Sequence, residues 1–468
     1  MPINSFLYPG AKVTTGFDVA NSLRFNSGSS DYINRTVGTA TNNKKITFSF
    51  WIKRSKLTSR QMFVRIIDPS STASYSYIEF DGTADTLTYD DYDGSSTRIT
   101  RSTSQVFRDT SAWYHIVISV DTTQATGSDR AKVYVNGEQV TSFASTSDAT
   151  QNYVLTGQTS GKTFYIGAAG DVPSLYLSGY LAEFVVIDGQ ALDPTSFGEF
   201  DEDSGIWKPI NVSGLTFGTN GFYLDFEDSS ALGADVSGNS NNFTVNNLTA
   251  IDQSTDTCTL NMATLNPLIK ANSQPTFSEG NLKIDITGNW NSGSWSSIGL
   301  SSGKWYWEAK AVSGNDSNVQ IGVGTENINF NATVIYNETG TLLYETVKGR
   351  YLDGSYTSSV FGSSYGNGDI IGVALDLDSG TKTITFTKNG TSITNGTQNL
   401  SSNFNNAVIF PMFLGSNSSA SAGWEINFGN PPFTISSGNS DGNGYGNFEY
   451  AVPNGYYSLN SKNLAEYG

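Results

Sequence analysis

The chain has 468 residues, with 26 Lys and Arg against 43 Asp and Glu, for a formal net charge of −17. So acidic a chain lacks the basic track that displaces nucleic-acid counterions, and it is not drawn to anionic membrane surfaces. Its one cysteine, Cys258, excludes an intrachain disulfide, so folding rests on core burial and suits a reducing compartment.

The length corresponds to about three domains, or two if β-sandwiches of ~200 residues form single units. No apolar run approaches the roughly 20 residues of a membrane helix, and the start lacks the basic and apolar regions of a signal peptide. Aromatics make up 13% of residues and charged groups only 15%, with 48 glycines. Aromatic and β-branched residues broken by Gly, Asn and Asp predict strands and hairpins, and an all-β chain.

Residues 1–20 are broken by Pro2, Pro9 and Gly10 and show no period. Ile3, Phe6, Leu7, Tyr8 and Pro9 make the segment apolar, so we read an extended docking arm that prefers a partner to water. An edge strand or frayed terminus is the alternative.

Residues 21–210 read as a series of strands. Ile46-Thr-Phe-Ser-Phe-Trp-Ile, Trp113-Tyr-His-Ile-Val-Ile-Ser-Val and Tyr180-Leu-Ala-Glu-Phe-Val-Val-Ile are central, and Tyr77-Ile-Glu-Phe with Thr86-Leu-Thr-Tyr forms a hairpin across Asp81-Gly82. Asn136-Gly137 is a strong hairpin signal. Many strands at short spacing without a helical period predict a two-sheet sandwich. The ordered set Phe48-Ser-Phe-Trp-Ile-Lys, Trp113-Tyr-His, Val133-Tyr-Val-Asn-Gly, Phe164-Tyr-Ile-Gly and Gly179-Tyr-Leu-Ala-Glu-Phe-Val-Val resembles the concanavalin A-like, laminin G-like jelly rolls.

Residues 211–275 read as a β-rich connector that adds strands to a neighbouring sheet, with 261–275 as a linker. Residues 276–435 form the second sandwich. Gly303-Lys-Trp-Tyr-Trp-Glu, Val319-Gln-Ile-Gly-Val-Gly, Gly368-Asp-Ile-Ile-Gly-Val-Ala-Leu-Asp-Leu-Asp, Thr383-Ile-Thr-Phe-Thr-Lys-Asn-Gly, Ile409-Phe-Pro-Met-Phe and Trp424-Glu-Ile-Asn-Phe-Gly follow the order of a SPRY domain, which they resemble. The expected architecture is thus two jelly-roll-type antiparallel sandwiches joined by the connector. Residues 436–468 are a Gly/Asn/Tyr-rich tail, ordered either by aromatic packing or by a neighbouring subunit.

Catalytic chemistry finds little support. The one histidine, His115, lies in an apolar strand, so a Ser-His-Asp site would depend on it alone. Zinc centres need His and Cys clusters that the chain lacks. Gly157-Gln-Thr-Ser-Gly-Lys-Thr is one residue short of a phosphate loop and leads into a strand, so it reads as a hairpin loop. The glycosidase pattern of paired carboxylates is met only by Glu199-Phe-Asp201-Glu-Asp-Ser204, with serine in the last place. We expect no enzyme and no cofactor. Calcium is the one exception, since the laminin G-like resemblance implies it at acidic edge loops, here Asp90, Asp91, Asp93, Asp235 and Asn239. Asp and Asn also populate turns on their own account.

Both resemblances imply binding modules whose loops carry function. Tyr89, Tyr92, Trp290, Trp295, Tyr356 and Phe361 are the candidates for glycan or partner contact, each with loop packing as its alternative. The arm, the jelly roll, the Leu224-Asp-Phe-Glu-Asp-Ser-Ser connector and the SPRY domain together resemble virion proteins of marine tailed bacteriophages. That resemblance implies a tail fibre or appendage assembled in the host cytoplasm and located on the virion. Its partners would be other virion proteins, further copies of itself in a homo-oligomer (often a trimer) and host surface polysaccharide, without nucleic acid or membrane insertion. A purely architectural capsid-decoration or tail-attachment protein is the alternative, and a carbohydrate-active enzyme is a third reading.

Overall fold

A computed structural model describes residues 16–171, 175–269, 274–286, 292–312, 319–332, 334–415 and 422–468. The docking-arm residues Ile3, Phe6, Leu7, Tyr8 and Pro9, and the candidate Trp290, lie outside the described residues. The described residues divide into two compact units, 16–259 and 260–468.

The first unit contains β1 (Ser22–Phe25), β2 (Tyr32–Thr36), β3 (Lys45–Arg54), β4 (Gln61–Asp68), β5 (Ser71–Phe80) and β6 (Thr86–Tyr92). Then come β7 (Thr97–Val106), β8 (Trp113–Asp121), β9 (Ala131–Val135), β10 (Glu138–Gln139), β11 (Phe143–Ser147) and β12 (Thr163–Ile166). β13 (Gly179–Asp188), β14 (Gly198–Phe200), β15 (Trp207–Pro209), β16 (Phe222–Leu224), β17 (Thr244–Asn246) and β18 (Gln253–Ser254) complete it. One sheet runs β10-β9-β8-β3-β13-β1-β18, with β16 also on β13, and the other runs β11-β7-β6-β5-β4-β12-β2-β17.

Side chains alternate across a strand with period 2. In β3, Phe48, Phe50 and Ile52 enter the core between the sheets, where Phe63, Ile78 and Ile116 meet them. Trp51, on the opposite face of β3, joins a separate cluster with Trp113, Tyr180 and Trp207. β3 is therefore covered on both sides, which explains its unbroken apolar run. Asn136 (φ 49°) and Gly137 (φ 83°) both turn left-handed between β9 and β10, as the hairpin signal requires.

The connector divides between the units. β16, β17 and β18 extend the two sheets of the first unit. Asp256 is held by Lys53 Nζ at 2.7 Å and Trp113 Nε1 at 3.1 Å, with both members of the ion pair buried. Residues 261–275 are not a bare linker: Ala263 and Leu265 are fully buried in the second unit's core.

β13 carries a feature with no sequence signal. β1 pairs along Gly179–Leu181 and β16 along Phe184–Val186, so one edge of β13 changes partner in between. At that seam the register against β3 shifts and Glu183 has φ +49°. This is a β-bulge, one extra residue that re-aims a side chain. Glu183 is buried and accepts a hydrogen bond from Tyr223 Oη at 2.6 Å. Burial, with Asp225 and Glu227 nearby, raises its carboxyl pKa to about 7, against the opposing hydrogen bond from Tyr223.

The second unit holds β19 (Thr276–Ser278), β20 (Lys283–Ile286), β21 (Ser292–Trp295), β22 (Lys304–Val312), β23 (Val319–Thr325), β24 (Thr341–Glu345) and β25 (Arg350–Leu352). β26 (Ser355–Thr357), β27 (Ile370–Asp376), β28 (Thr383–Lys388), β29 (Thr391–Asn399), β30 (Ile409–Gly415), β31 (Ala422–Asn427) and β32 (Tyr457–Ser458) follow, with α1 (Ser461–Tyr467) last. One sheet runs β19-β20-β31-β22-β27-β28-β29 and the other β21-β30-β23-β24-β25-β26. Trp305, Trp307 and Trp424 fill the core between them. The all-β, two-sandwich expectation is borne out.

The C-terminal tail is ordered by its own unit. β32 adds to β22 in parallel. The buried Glu308 carboxylate accepts the backbone N–H groups of Glu449 at 2.9 Å and Tyr450 at 2.8 Å. Asp441 accepts Ser458 N at 2.9 Å and Asn463 Nδ2 at 2.8 Å, and Tyr457 stacks on Tyr467 at 3.8 Å.

Candidate functional site

The outward face of the second sheet in the first unit carries a group of candidate binding side chains. In β5 the alternation of Ser74-Tyr75-Ser76-Tyr77-Ile78-Glu79 sends Ile78 into the core. It leaves Tyr75, Tyr77 and Glu79 on the other face. Registers extend this into rows across neighbouring strands. Ile67, Tyr75 and Tyr92 lie opposite one another, as do Arg65, Tyr77, Asp90, Thr100 and Ser147. A third row runs Met62, Glu79, Thr88, Ser102, Ser145.

The rows form a tyrosine wall beside a shelf of hydroxyl groups. Tyr75 and Tyr92 are half-buried, with ring centroids 4.9 Å apart. The Arg65 guanidinium lies 3.9 Å above the Tyr75 ring, and its Nη2 donates to Asp171 Oδ2 at 3.1 Å. Tyr77 Oη donates to Asp90 Oδ2 at 2.6 Å, and Arg60 Nε donates to Glu79 Oε2 at 2.7 Å. Burial raises the pKa of both Asp90 and Glu79, against those hydrogen bonds. Ring faces with carboxylate and hydroxyl acceptors beside them can stack on the C–H face of a sugar and bind its hydroxyls.

Of the sequence-predicted residues, Tyr92 and Asp90 fall on this strip. Tyr89 does not: it is 1% exposed and packs in the core against Phe48, a correction that follows from strand parity. Phe361 is also a core residue, 1% exposed, against Tyr344 and Phe386. Trp295 is half-buried between Phe410 and Phe330. Tyr356 stays open at 47% exposure, and its Oη donates to Glu345 Oε2 at 2.9 Å. Arg65, Tyr75 and Tyr77 complete the strip and were missed; the period-2 tyrosines of β5 were the available signal.

Four of the five residues expected at calcium, Asp91, Asp93, Asp235 and Asn239, are engaged in hydrogen bonds within the protein. Asp91 is wholly buried and accepts Tyr153 Oη at 2.7 Å, Thr156 N at 3.2 Å and Gly157 N at 3.3 Å. Asp93 accepts Ser95 N and Ser96 N and pairs with Arg98. Asp235 accepts Tyr223 N, Ser237 N and Asn241 N, while Asn239 Nδ2 donates to the carbonyls of Gly218 and Gly221. The Asp91, Asp93 and Asp235 oxygens already face N–H and O–H donors, where a cation would be repelled. Among the described residues no three His, Cys, Asp or Glu side chains gather as a metal site. The loop at Gly157 spends its N–H on Asp91 rather than on an anion.

His115 is structural. Trp207 Nε1 donates to its Nδ1 at 2.9 Å, so the ring proton sits on Nε2, which donates to Ser49 Oγ at 2.9 Å. A base must accept from its serine, so this tautomer is the wrong one for nucleophile activation. Burial also lowers its pKa to about 3. Cys258 packs beside Trp51 and Trp113, and burial pushes its thiol pKa up, away from the reactive thiolate. Lys208 bridges Glu199 at 3.4 Å and Asp201 at 3.0 Å. The Ser204 backbone N–H first, and then Lys208, hold the Asp201 pKa down to about 2, too low for a general acid.

The fold and this site define a pair of β-sandwich modules of binding type. Residues 27–196 match the family model of the concanavalin A-like lectin/glucanases superfamily in its laminin G-like form, and residues 304–431 match the SPRY domain model. The chain thus carries a laminin G-like, concanavalin A-like domain and a SPRY domain. Among solved structures it is similar to the native heptameric SAP-like pentraxin of Limulus polyphemus, at 18% identity over 38% of this chain and 79% of that one, TM-score 0.29. It is similar to domains LG4-5 of the mouse laminin alpha1 chain, at 8% identity over 87% and 90%, TM-score 0.30. It is also similar to the SPRY domain of human HERC1, at 19% identity over 35% and 96%, TM-score 0.25. A comparison with curated proteins returned no match.

Proposed function

We propose that this chain is a non-enzymatic binding protein, a tail fibre or appendage of a tailed bacteriophage virion, whose laminin G-like domain engages host surface glycans. The observation that carries the binding half is the strip on β4–β7, where the half-buried Tyr75 and Tyr92 rings pack together beside Asp90 and the Thr100 and Ser102 hydroxyls. The resemblance in arm and domain order supports the virion half. In this reading residues 1–20 attach the chain to other virion proteins, and copies of it assemble as a homo-oligomer.

Full-length protein on an array of bacterial surface polysaccharides tests the binding half. Tyr92→Ala and Tyr75→Ala should each remove the signal while the thermal transition stays within a few degrees of wild type. Retention of the signal in both variants would refute the site, and no signal from wild type would refute glycan engagement. An antibody to the chain should label particles, and deletion of residues 1–20 should leave free protein in the lysate. Particles that incorporate the deleted form normally would refute the docking role.

A further inference from the structure

We infer that the second unit carries a site for a small quaternary ammonium cation, such as choline, at the edge of its second sheet, where three tyrosine rings stand beside the carboxylate of Glu345. The site belongs to the other unit than the tyrosine strip and does not rest on glycan binding. β24 sends Leu342 and Tyr344 into the core, which leaves Leu343 and Glu345 on the opposite face. Tyr351 lies opposite Leu343 on β25, and Tyr356 lies opposite Tyr351 on β26, the last strand of the sheet. Tyr336, from the turn before β24, covers Tyr351 with ring centroids 4.6 Å apart, and Tyr351 and Tyr356 are 4.9 Å apart. The successive rings are tilted by 49° and 43° rather than stacked flat. Tyr351 is buried, Tyr336 is half-buried, and Tyr356 is open at the edge. Gly349 lets the ring and the carboxylate meet, since a Cβ there would overlap both Tyr356 and Glu345 Oε2.

The protein leaves this carboxylate without a counter-charge. Glu345 is buried, and its Oε2 accepts the Tyr356 hydroxyl at 2.9 Å. Gln320, opposite it in register, keeps both side-chain polar atoms out of hydrogen bonds. Among the described residues no lysine or arginine pairs with Glu345, and Oε1 accepts no hydrogen bond. Burial pushes the Glu345 carboxyl pKa up, and the Tyr356 hydrogen bond alone opposes that. Burial first, and then the Glu345 charge, push up the pKa of all three phenols, so the carboxylate bears on each ring. Ring faces are negative, and a carboxylate beside them draws a cation and rejects an anion. The acceptors decide which cation. A primary ammonium is strongly hydrated and brings three N–H donors, while Glu345 offers the one uncommitted oxygen, so donors would be left unmet. A quaternary ammonium has no donor to satisfy, and its methyl groups pack on the ring faces.

The experiment is titration of full-length protein with choline at constant ionic strength, followed by calorimetry and by the proton resonance of the choline methyl groups. Choline should bind in the millimolar range with that resonance moved upfield by the rings, and about five-fold more tightly than ethanolamine. Phosphocholine, which brings an anion toward the carboxylate, should bind more weakly than choline. Glu345→Gln still accepts the Tyr356 hydroxyl but removes the charge, and it should weaken choline about ten-fold. Tyr356→Ala should weaken it about five-fold, whereas Tyr356→Phe keeps the ring and should stay within about two-fold. Tyr356 is at the open edge, so its two variants test the site even if Glu345→Gln fails to fold. Absence of choline binding, or equal binding of choline and ethanolamine, would overturn the inference. Binding without an upfield shift, or binding that Glu345→Gln and Tyr356→Ala both leave unchanged, would overturn the assignment to these rings. Tighter binding of phosphocholine would overturn the charge reasoning. A trimethyl-lysine peptide bound more tightly than choline would overturn the small-cation assignment in favour of a protein partner.

Discussion

Replacing Glu183 by Gln should make the first unit more stable at alkaline pH and leave it unchanged at acid pH. The carboxyl sits in the β13 bulge with its pKa raised to about 7 from an ordinary 4.5. Between those values the folded chain keeps a proton that the unfolded chain has released, so stability falls as pH rises through the window. Each decade of proton affinity is worth about 1.4 kcal/mol, so the full penalty above pH 7 is about 3 kcal/mol. Gln keeps the shape and still accepts the Tyr223 hydroxyl, but it has no proton to lose. Urea unfolding of wild type and Glu183→Gln at several pH values between 5 and 8, followed at the first unit's transition, measures the difference. Subtraction removes every other titrating group, including Asp90 and Glu79. The gap should be about 1 kcal/mol at pH 5 and open to about 3 kcal/mol at pH 8. Tyr223→Phe should move the wild-type transition to still higher pH, since the lost O–H favours the charged carboxylate. A gap independent of pH would refute the reasoning.

Lys53→Met should cost about 3–5 kcal/mol in urea unfolding, because it removes the cation that faces the buried Asp256 carboxylate, and Lys53→Met combined with Asp256→Leu should recover part of the loss. Glu308→Ala leaves the N–H groups of Glu449 and Tyr450 without their acceptor, a cost of roughly 1–3 kcal/mol each, and hydrogen exchange at those two amides should accelerate while the β22 core stays protected. His115→Phe should lower stability by roughly 1–3 kcal/mol through the unpaired Trp207 indole, yet leave polysaccharide binding unaltered, and lost binding would contradict its structural role.

The sandwiches were legible because buried strands declare themselves by alternation and by turn chemistry. Asn136-Gly137 adopts the two positive φ angles its hairpin needs. The strip was only half legible. Tyr89 and Tyr92 are three residues apart in one strand, and period 2 sends them to opposite faces, so they could not both be surface residues. Arg65 and Tyr75 became neighbours of Tyr92 through the register between β4, β5 and β6, which no local pattern encodes. Phe361 lies in a loop yet fills the core because Tyr344 and Phe386 reach it. The tail's order depends on Glu308, about 140 residues earlier in sequence, meeting two backbone amides, a contact that composition cannot reveal.

The partner change along β13 has a consequence during synthesis. The jelly roll reads as finished near residue 210, but β16, β17, β18 and Asp256 still have to arrive on β13, β2, β1 and Lys53. At translation speeds of about 5–20 residues per second the nascent sandwich waits several seconds with open sheet edges. Exposed edges recruit neighbouring strands. A gene fragment cut at residue 210 should therefore yield aggregates, and one cut after Thr259 should yield soluble protein.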